Sequence, residues 1–197
     1  MLYRPHHHRM GPPTLTDTEK YVTPKVAQPY WVKHAYEILV ETAGRYNAVI
    51  TYSELAEEVQ RRSSLWTSSQ MRNWIGALLA DLVKVNHARD EPALVALVVR
   101  KDDGQVGAGY DEVLRVSGHP AIDDPLEREM HAAAARLECY RHWDADVPAG
   151  AQPTLTTRTR EVRARTPRTA AAEERRGAVC PTCFMETPVS GACPNCD

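Results

Sequence analysis

The stretch Met71-Arg-Asn-Trp-Ile-Gly-Ala-Leu-Leu-Ala-Asp-Leu-Val83 carries the clearest periodicity in the chain. Met71, Trp74, Ile75, Leu78, Leu79, Leu82 and Val83 recur at steps of three and four, the spacing of an amphipathic helix with one apolar stripe. Upstream, Tyr30 to about Ala43 places Trp31, Ala35, Ile38 and Leu39 on one helical face. Asn47 and Ala48 break that helix, and Val49-Ile50-Thr51 reads as a short extended piece. Thr51 followed by Glu54 has capping-box spacing and opens a helix from Ser53 to about Arg62. Ser63, Ser64, Ser68 and Ser69 mark the turn before the next helix. Downstream, Ala93 to Arg100 is a β-branched apolar run, Asp103-Gly104 is a hairpin signal, and Gln105 to Tyr110 offers a return strand. A last helix is expected from about Pro125 to His142, with Leu126, Met130, Ala133, Ala134, Leu137 and Tyr140 at core spacing.

Three helices followed by a two-stranded hairpin is the order of a winged helix-turn-helix. The fold expected is mainly α with a small β-hairpin, spanning residues 30–146. Residues 1–29 are polar, contain proline and lack periodicity, so they read as a flexible arm; His6, His7 and His8 read as a solvated tract. Residues 147–177 are rich in Thr, Ala, Pro and Arg. Seven arginines (Arg158, Arg160, Arg163, Arg165, Arg168, Arg175, Arg176) face three glutamates, so the segment reads as a basic disordered linker. It could track phosphates or an acidic partner, or serve as a solvated tether.

Residues 178–197 contain Cys180-Pro-Thr-Cys183 and Cys193-Pro-Asn-Cys196. Two Cys-x-x-Cys turns bring four thiolates together at the spacing tetrahedral zinc prefers. A pair of disulfides is the competing reading, and it suits a reducing compartment poorly. With no secretory segment at the start and no apolar run of membrane-spanning length, the chain is expected in the cytoplasm, with no membrane partner. Cys180, Cys183, Cys193 and Cys196 are therefore expected to hold one structural Zn2+ in a small zinc ribbon. Four sulfur ligands leave no open position for a substrate, and metal binding would supply the folding free energy of so short a segment.

Ile50-Thr51-Tyr52-Ser53-Glu54-Leu55-Ala56, then Asn73-Trp74-Ile75-Gly76-Ala77-Leu78, then Asp102-Asp103-Gly104-Gln105-Val106-Gly107-Ala108-Gly109-Tyr110 resemble, in order and spacing, the C-terminal DNA-binding domain of the O6-alkylguanine-DNA alkyltransferases and alkyltransferase-like proteins. The resemblance covers residues 31–118 and implies a winged helix on duplex DNA. Counting back from Asp103-Gly104, the position of the family's alkyl-accepting cysteine falls on Ala96, and its activating histidine is missing too. Alkyl transfer needs a thiolate, so the expectation is a protein that is not an enzyme. The family's arginine that props up the flipped nucleotide aligns with Asn73, beside Arg72.

For a DNA-binding winged helix, the candidate contacts are Arg61, Arg62, Ser68, Ser69, Gln70, Arg72 and Asn73 around the third helix, with Arg100 and Lys101 on the wing. Residues 30–147 hold thirteen Lys and Arg against nineteen Asp and Glu, a net of six negative charges. Phosphate neutralisation dominates nucleic-acid affinity, so such a core binds through a local patch or with help from the basic linker. Two functions follow: a non-catalytic DNA-binding factor, or an adaptor docking on a larger nucleic-acid or transcription assembly, with the zinc ribbon as a possible protein contact. The remaining histidines, His34, His87, His119, His131 and His142, form no ligand or triad spacing.

Overall fold

In the computed structural model, residues 20–165 are described. Strand β1 (Lys20–Tyr21) leads into α1 (Pro24–Ala43). Helix α1 starts six residues before the expected Tyr30, because Pro24 occupies the first turn, where its missing N–H costs nothing, and Ala27 is fully buried. Residues 20–29 are therefore folded and do not belong to an arm. One edge of α1 is fixed by Trp31, whose Nε1 donates to the Leu65 carbonyl at 3.1 Å and whose ring lies 4.4 Å from Trp74.

Strand β2 (Ile50–Thr51) ends where α2 (Tyr52–Ser63) begins, and the capping box is present: Thr51 Oγ1 accepts from the Glu54 amide, and Glu54 accepts from the Thr51 amide at 2.8 Å. Ser64 adopts a left-handed conformation (φ +55°) that stops α2. Strand β3 (Leu65–Trp66) follows and pairs in parallel with β1. A 3-10 turn, Met71–Asn73, precedes α3 (Ile75–Ala88). The expected stripe is buried from Trp74 to Val83, but Met71 at its head is exposed, since Trp74 breaks the helix with φ −136°.

The hairpin is not formed among the described residues. Leu94–Leu97 is a fully buried 3-10 turn, and β4 is only Val98–Val99, pairing in parallel with β2. After it the chain makes a tight turn: the Gly104 amide donates to the Arg100 carbonyl and the Arg100 amide to the Gln105 carbonyl, at 2.9 and 2.8 Å. The return segment builds no ladder because side chains take its donors. The Val106 amide donates to Glu129 Oε2 at 2.9 Å and the Gly107 amide to the Tyr52 hydroxyl at 3.2 Å. Ala108–Tyr110 then turns into α4 (Asp111–Val116). The molecule is mainly helical, with two short parallel strand pairs.

Helix α5 (Pro125–His142) begins with Asp124, whose Oδ1 accepts from the Leu126 and Glu127 amides. It carries a polar core. Glu129 and Arg136 are 0% and 2% exposed, and form an ion pair that also holds the Val106 amide and the Ala96 carbonyl. Near its C-terminal end, the Tyr140 hydroxyl donates to the Ala48 carbonyl at 2.7 Å.

The segment after α5 departs most from expectation. Gln152 and residues 154–157 line a void of about 30 Å³ together with Tyr46, Asn47, Arg136 and Tyr140, and helix α6 (Thr157–Arg165) follows. The start of the presumed linker is thus ordered. Residues 166–197, including the zinc-ribbon cysteines Cys180, Cys183, Cys193 and Cys196, lie outside the described residues, as do residues 1–19.

Candidate nucleic-acid interface

The expected DNA contacts separate into three places. Arg61 and Arg62 close α2, and both are spent internally. Arg61 forms a fork on Glu58 at 2.7 and 2.6 Å; Arg62 reaches Glu58 at 2.7 Å and grips both oxygens of Glu41, 21 residues away, at 2.7 Å each. Hydrogen bonds from Arg61, then Arg62, pull the Glu58 carboxyl down to about 2, and Arg62 likewise lowers Glu41. Two cations against two carboxylates leave no net charge there, so this patch offers phosphates little.

The second place is the entry to α3. Arg72 and Asn73 lie exposed on the 3-10 turn, and Arg72 has no charged partner among the described residues. Ser68 and Ser69 stand in the loop ahead of them; the Ser69 amide donates to Thr67 Oγ1 and its carbonyl accepts from Trp74 Nε1. Trp74 is thereby a core residue. Residues 24, 25, 28 and 29 of α1 line one hollow with Asn73, Trp74 and Ala77, which brings Lys25 beside this entry. Lys25 was invisible as a candidate because its segment read as an arm. Gly76 and Ala77 form the exposed start of α3, which supplies free amide donors but no side chain able to read a base edge.

The third place is the turn after β4. Because Val99 pairs with Thr51, the N-cap of α2, Arg100 and Lys101 sit at the opposite end of that helix from Arg61. Twelve residues of α2 separate them by about 18 Å at 1.5 Å per residue. Arg61 and Lys101 therefore stand at opposite ends of α2. Arg100 is engaged by Asp103 at 2.5 Å, while Lys101 is exposed and has no salt-bridge partner among the described residues.

This turn gains a basic neighbour that the sequence did not foretell. Thr156 Oγ1 donates to the Gly104 carbonyl at 2.9 Å, Thr159 Oγ1 to the Asp103 carbonyl at 2.8 Å, and Arg158 Nε to the Asp102 carbonyl at 2.9 Å. Thr156 also caps α6 by accepting from the Thr159 amide at 3.2 Å. Three consecutive carbonyls of the turn are thus clamped by the head of α6, and exposed Arg158 is held next to Lys101, with exposed Arg160 two residues further along the helix. Gly104 is required there: its φ is +71°, and a Cβ would stand 2.5 Å from Thr156 Oγ1 and 2.7 Å from Arg158 Cβ. The cue in the sequence was Thr156-x-x-Thr159 ahead of a helix-compatible run, a cap spacing hidden in a polar tract.

The position matched to the alkyl-accepting cysteine is packed. Ala96 is fully buried, and its carbonyl accepts from Arg136 Nη1 at 3.2 Å. Cys139 is also fully buried, and burial pushes its thiol well above the ordinary thiol range. Among the described residues no group of three or more His, Cys, Asp or Glu is placed to hold a metal ion, and no helix is long and apolar enough to cross a membrane.

No family model matches the chain, and no curated protein and no solved structure matches it.

Proposed function

We propose that the protein is a non-catalytic DNA-binding factor of helix-turn-helix type, whose phosphate contacts centre on the turn after β4. The observation that carries this reading is the clamp that fixes Arg158 against the Lys101 turn, adding a cation beside an exposed lysine on an otherwise acidic molecule. In this reading α2 and α3 form the helix-turn-helix pair, Arg72 and Asn73 face the groove, and Lys101 with the α6 arginines neutralises phosphates. Ser69 stands beside Arg72 at the entry to α3, Arg100 holds the turn through Asp103, and Arg61 and Arg62 brace α2, with Arg62 tying it to α1. The likeness of residues 31–118 to the alkyltransferase DNA-binding domain supports the placement, and Ala96 supports binding without alkyl transfer.

The zinc ribbon remains part of the proposal. Cys180, Cys183, Cys193 and Cys196 supply four thiolates, the donor set that fills a tetrahedral zinc site without leaving an open position. Metal analysis of protein kept reduced should find one zinc per chain, and none would remove the ribbon from the proposal.

The adaptor reading is favoured by a different observation. Tyr21, Val26 and Tyr30 are more than half exposed at the start of the fold, and the Arg61–Arg62 cluster is neutralised. An adaptor would bind protein through such apolar side chains and shun the duplex. Fluorescence anisotropy of the full chain with a labelled duplex separates the two: DNA binding that weakens steeply with salt supports the first, and no binding at low ionic strength supports the adaptor.

A further inference from the structure

A cleft of about 480 Å³ opens between α3, α4 and α5, away from every residue assigned above to DNA. That volume is in the range of small-molecule sites. Val83, Ala93, Val113, Val116 and Ala135 form apolar walls, and two histidines, His119 and His131, stand with ring centroids 4.8 Å apart.

Asn86 sets the chemistry. It lies on α3, is 2% exposed and lines the cleft, yet its Oδ1 has no hydrogen-bond partner among the described residues. Its amide cannot be turned round to cure this. Nδ2 donates to Glu91 Oε2 at 3.2 Å, and a carboxylate can only accept. Glu91 is itself fixed by the Tyr36 hydroxyl at 2.9 Å. A buried acceptor without a donor opposes folding, and a leucine would pack α3 without that loss. The groups around the acceptor define what would satisfy it. No lysine or arginine lines the cleft, whereas Glu91 and Glu138 do, with Arg89 4.0 Å from Glu91. Tyr110 holds His131 Nδ1 at 2.9 Å. Burial, then the neighbouring His119, hold the His131 pKa below its ordinary value, so that ring presents an aromatic face instead of positive charge near neutral pH.

We infer that this cleft binds a small organic cation, an apolar body carrying an amino or amidino group whose N–H donates to Asn86 Oδ1. The apolar walls take the body, the orphan acceptor orients the head, and the carboxylates set the sign of charge. An anion of the same shape would meet an acceptor and two carboxylates and be rejected.

The full-length protein, ¹⁵N- and ¹³C-labelled, is titrated with benzamidinium and separately with benzoate, which keeps the ring and reverses the charge. Benzamidinium should shift the Asn86 side-chain amide and the His119 and His131 ring signals saturably, and benzoate should not. Asn86→Leu should weaken benzamidinium at least about tenfold, the effect of one lost hydrogen bond, while melting no earlier than the parent chain without ligand. Ala135→Leu, which fills the cleft and leaves Asn86 in place, should also abolish the shifts. The inference is overturned if benzamidinium gives no saturable shift at these residues, if benzoate binds equally, or if Asn86→Leu melts earlier and binds unchanged. The parent titration decides the matter even where a variant fails to fold.

Discussion

Replacing Gly104 with Ala tests whether the head of α6 is built into the fold. Two costs add at this position. An L-residue held at φ +71° costs about 1 kcal/mol. The new Cβ must also displace Thr156 Oγ1 and Arg158 Cβ, at 2.5 and 2.7 Å, and the Thr159 amide crowds it at 3.1 Å. If the clamp opens, three hydrogen bonds to the Asp102, Asp103 and Gly104 carbonyls go with it, each worth about 0.5–1.5 kcal/mol net. The expected loss is about 2.5–5.5 kcal/mol. Gly118 provides the control, since its φ is +69° and a Cβ there meets nothing within 4 Å. Gly118→Ala should cost about 1 kcal/mol, from the backbone alone. Urea denaturation of both variants measures the difference, and hydrogen exchange over residues 156–160 should rise only in Gly104→Ala. Equal midpoints for the two variants would refute the clamp as a stabilising contact.

Two further outcomes follow from buried and surface charge. Glu129→Gln keeps the shape of the side chain but leaves Arg136 charged and 2% exposed, so it should cost about 3–5 kcal/mol, and a loss below 1 kcal/mol would contradict the buried pair. Glu58, half shielded between Arg61 and Arg62, should contribute less than about 1 kcal/mol at neutral pH. Because its folded pKa, about 2, lies below the ordinary 4.5, that contribution is full above 4.5 and disappears as pH falls through 2. Parent and Glu58→Gln midpoints should therefore converge in acid; a gap that persists at pH 2 would argue against the ion pair.

The parts of the fold that were legible in the sequence are those fixed by local periodicity or caps. The stripe from Trp74 to Val83, the Thr51–Glu54 box and the helix starting at Pro125 all depend on neighbours within a turn or two. The hairpin failed because a short buried apolar run reads alike as strand or as irregular core. What decides Leu94–Leu97 and Val106 is Glu129 and Arg136, some 23 to 40 residues away. Pro24 and Pro29 lay in the segment read as an arm, although the first is a favoured helix start and α1 accommodates the second. The clamp made by Thr156, Arg158 and Thr159 was invisible to an apolar pattern, being formed by hydroxyls and a guanidinium on carbonyls.

The candidate site suffered from the same limit. The net negative charge of the core was readable, and Glu58 with Arg61 had visible i,i+3 spacing. Which arginines stay available was not readable, because Arg62 is disarmed by Glu41 on another helix and Arg158 is recruited to the turn by Asp102. Arg72 and Asn73 are exposed, at an entry they share with Lys25, which the sequence reading left in the arm.

The nucleic-acid proposal is tested most directly by the salt dependence of duplex binding by the full chain and by a Lys101→Ala, Arg160→Ala double variant. If these cations neutralise phosphates, the log–log salt slope should fall in magnitude by about 2 in the variant, with affinity lost alike on all sequences. An unchanged slope, or no binding by the parent chain at low ionic strength, would contradict it.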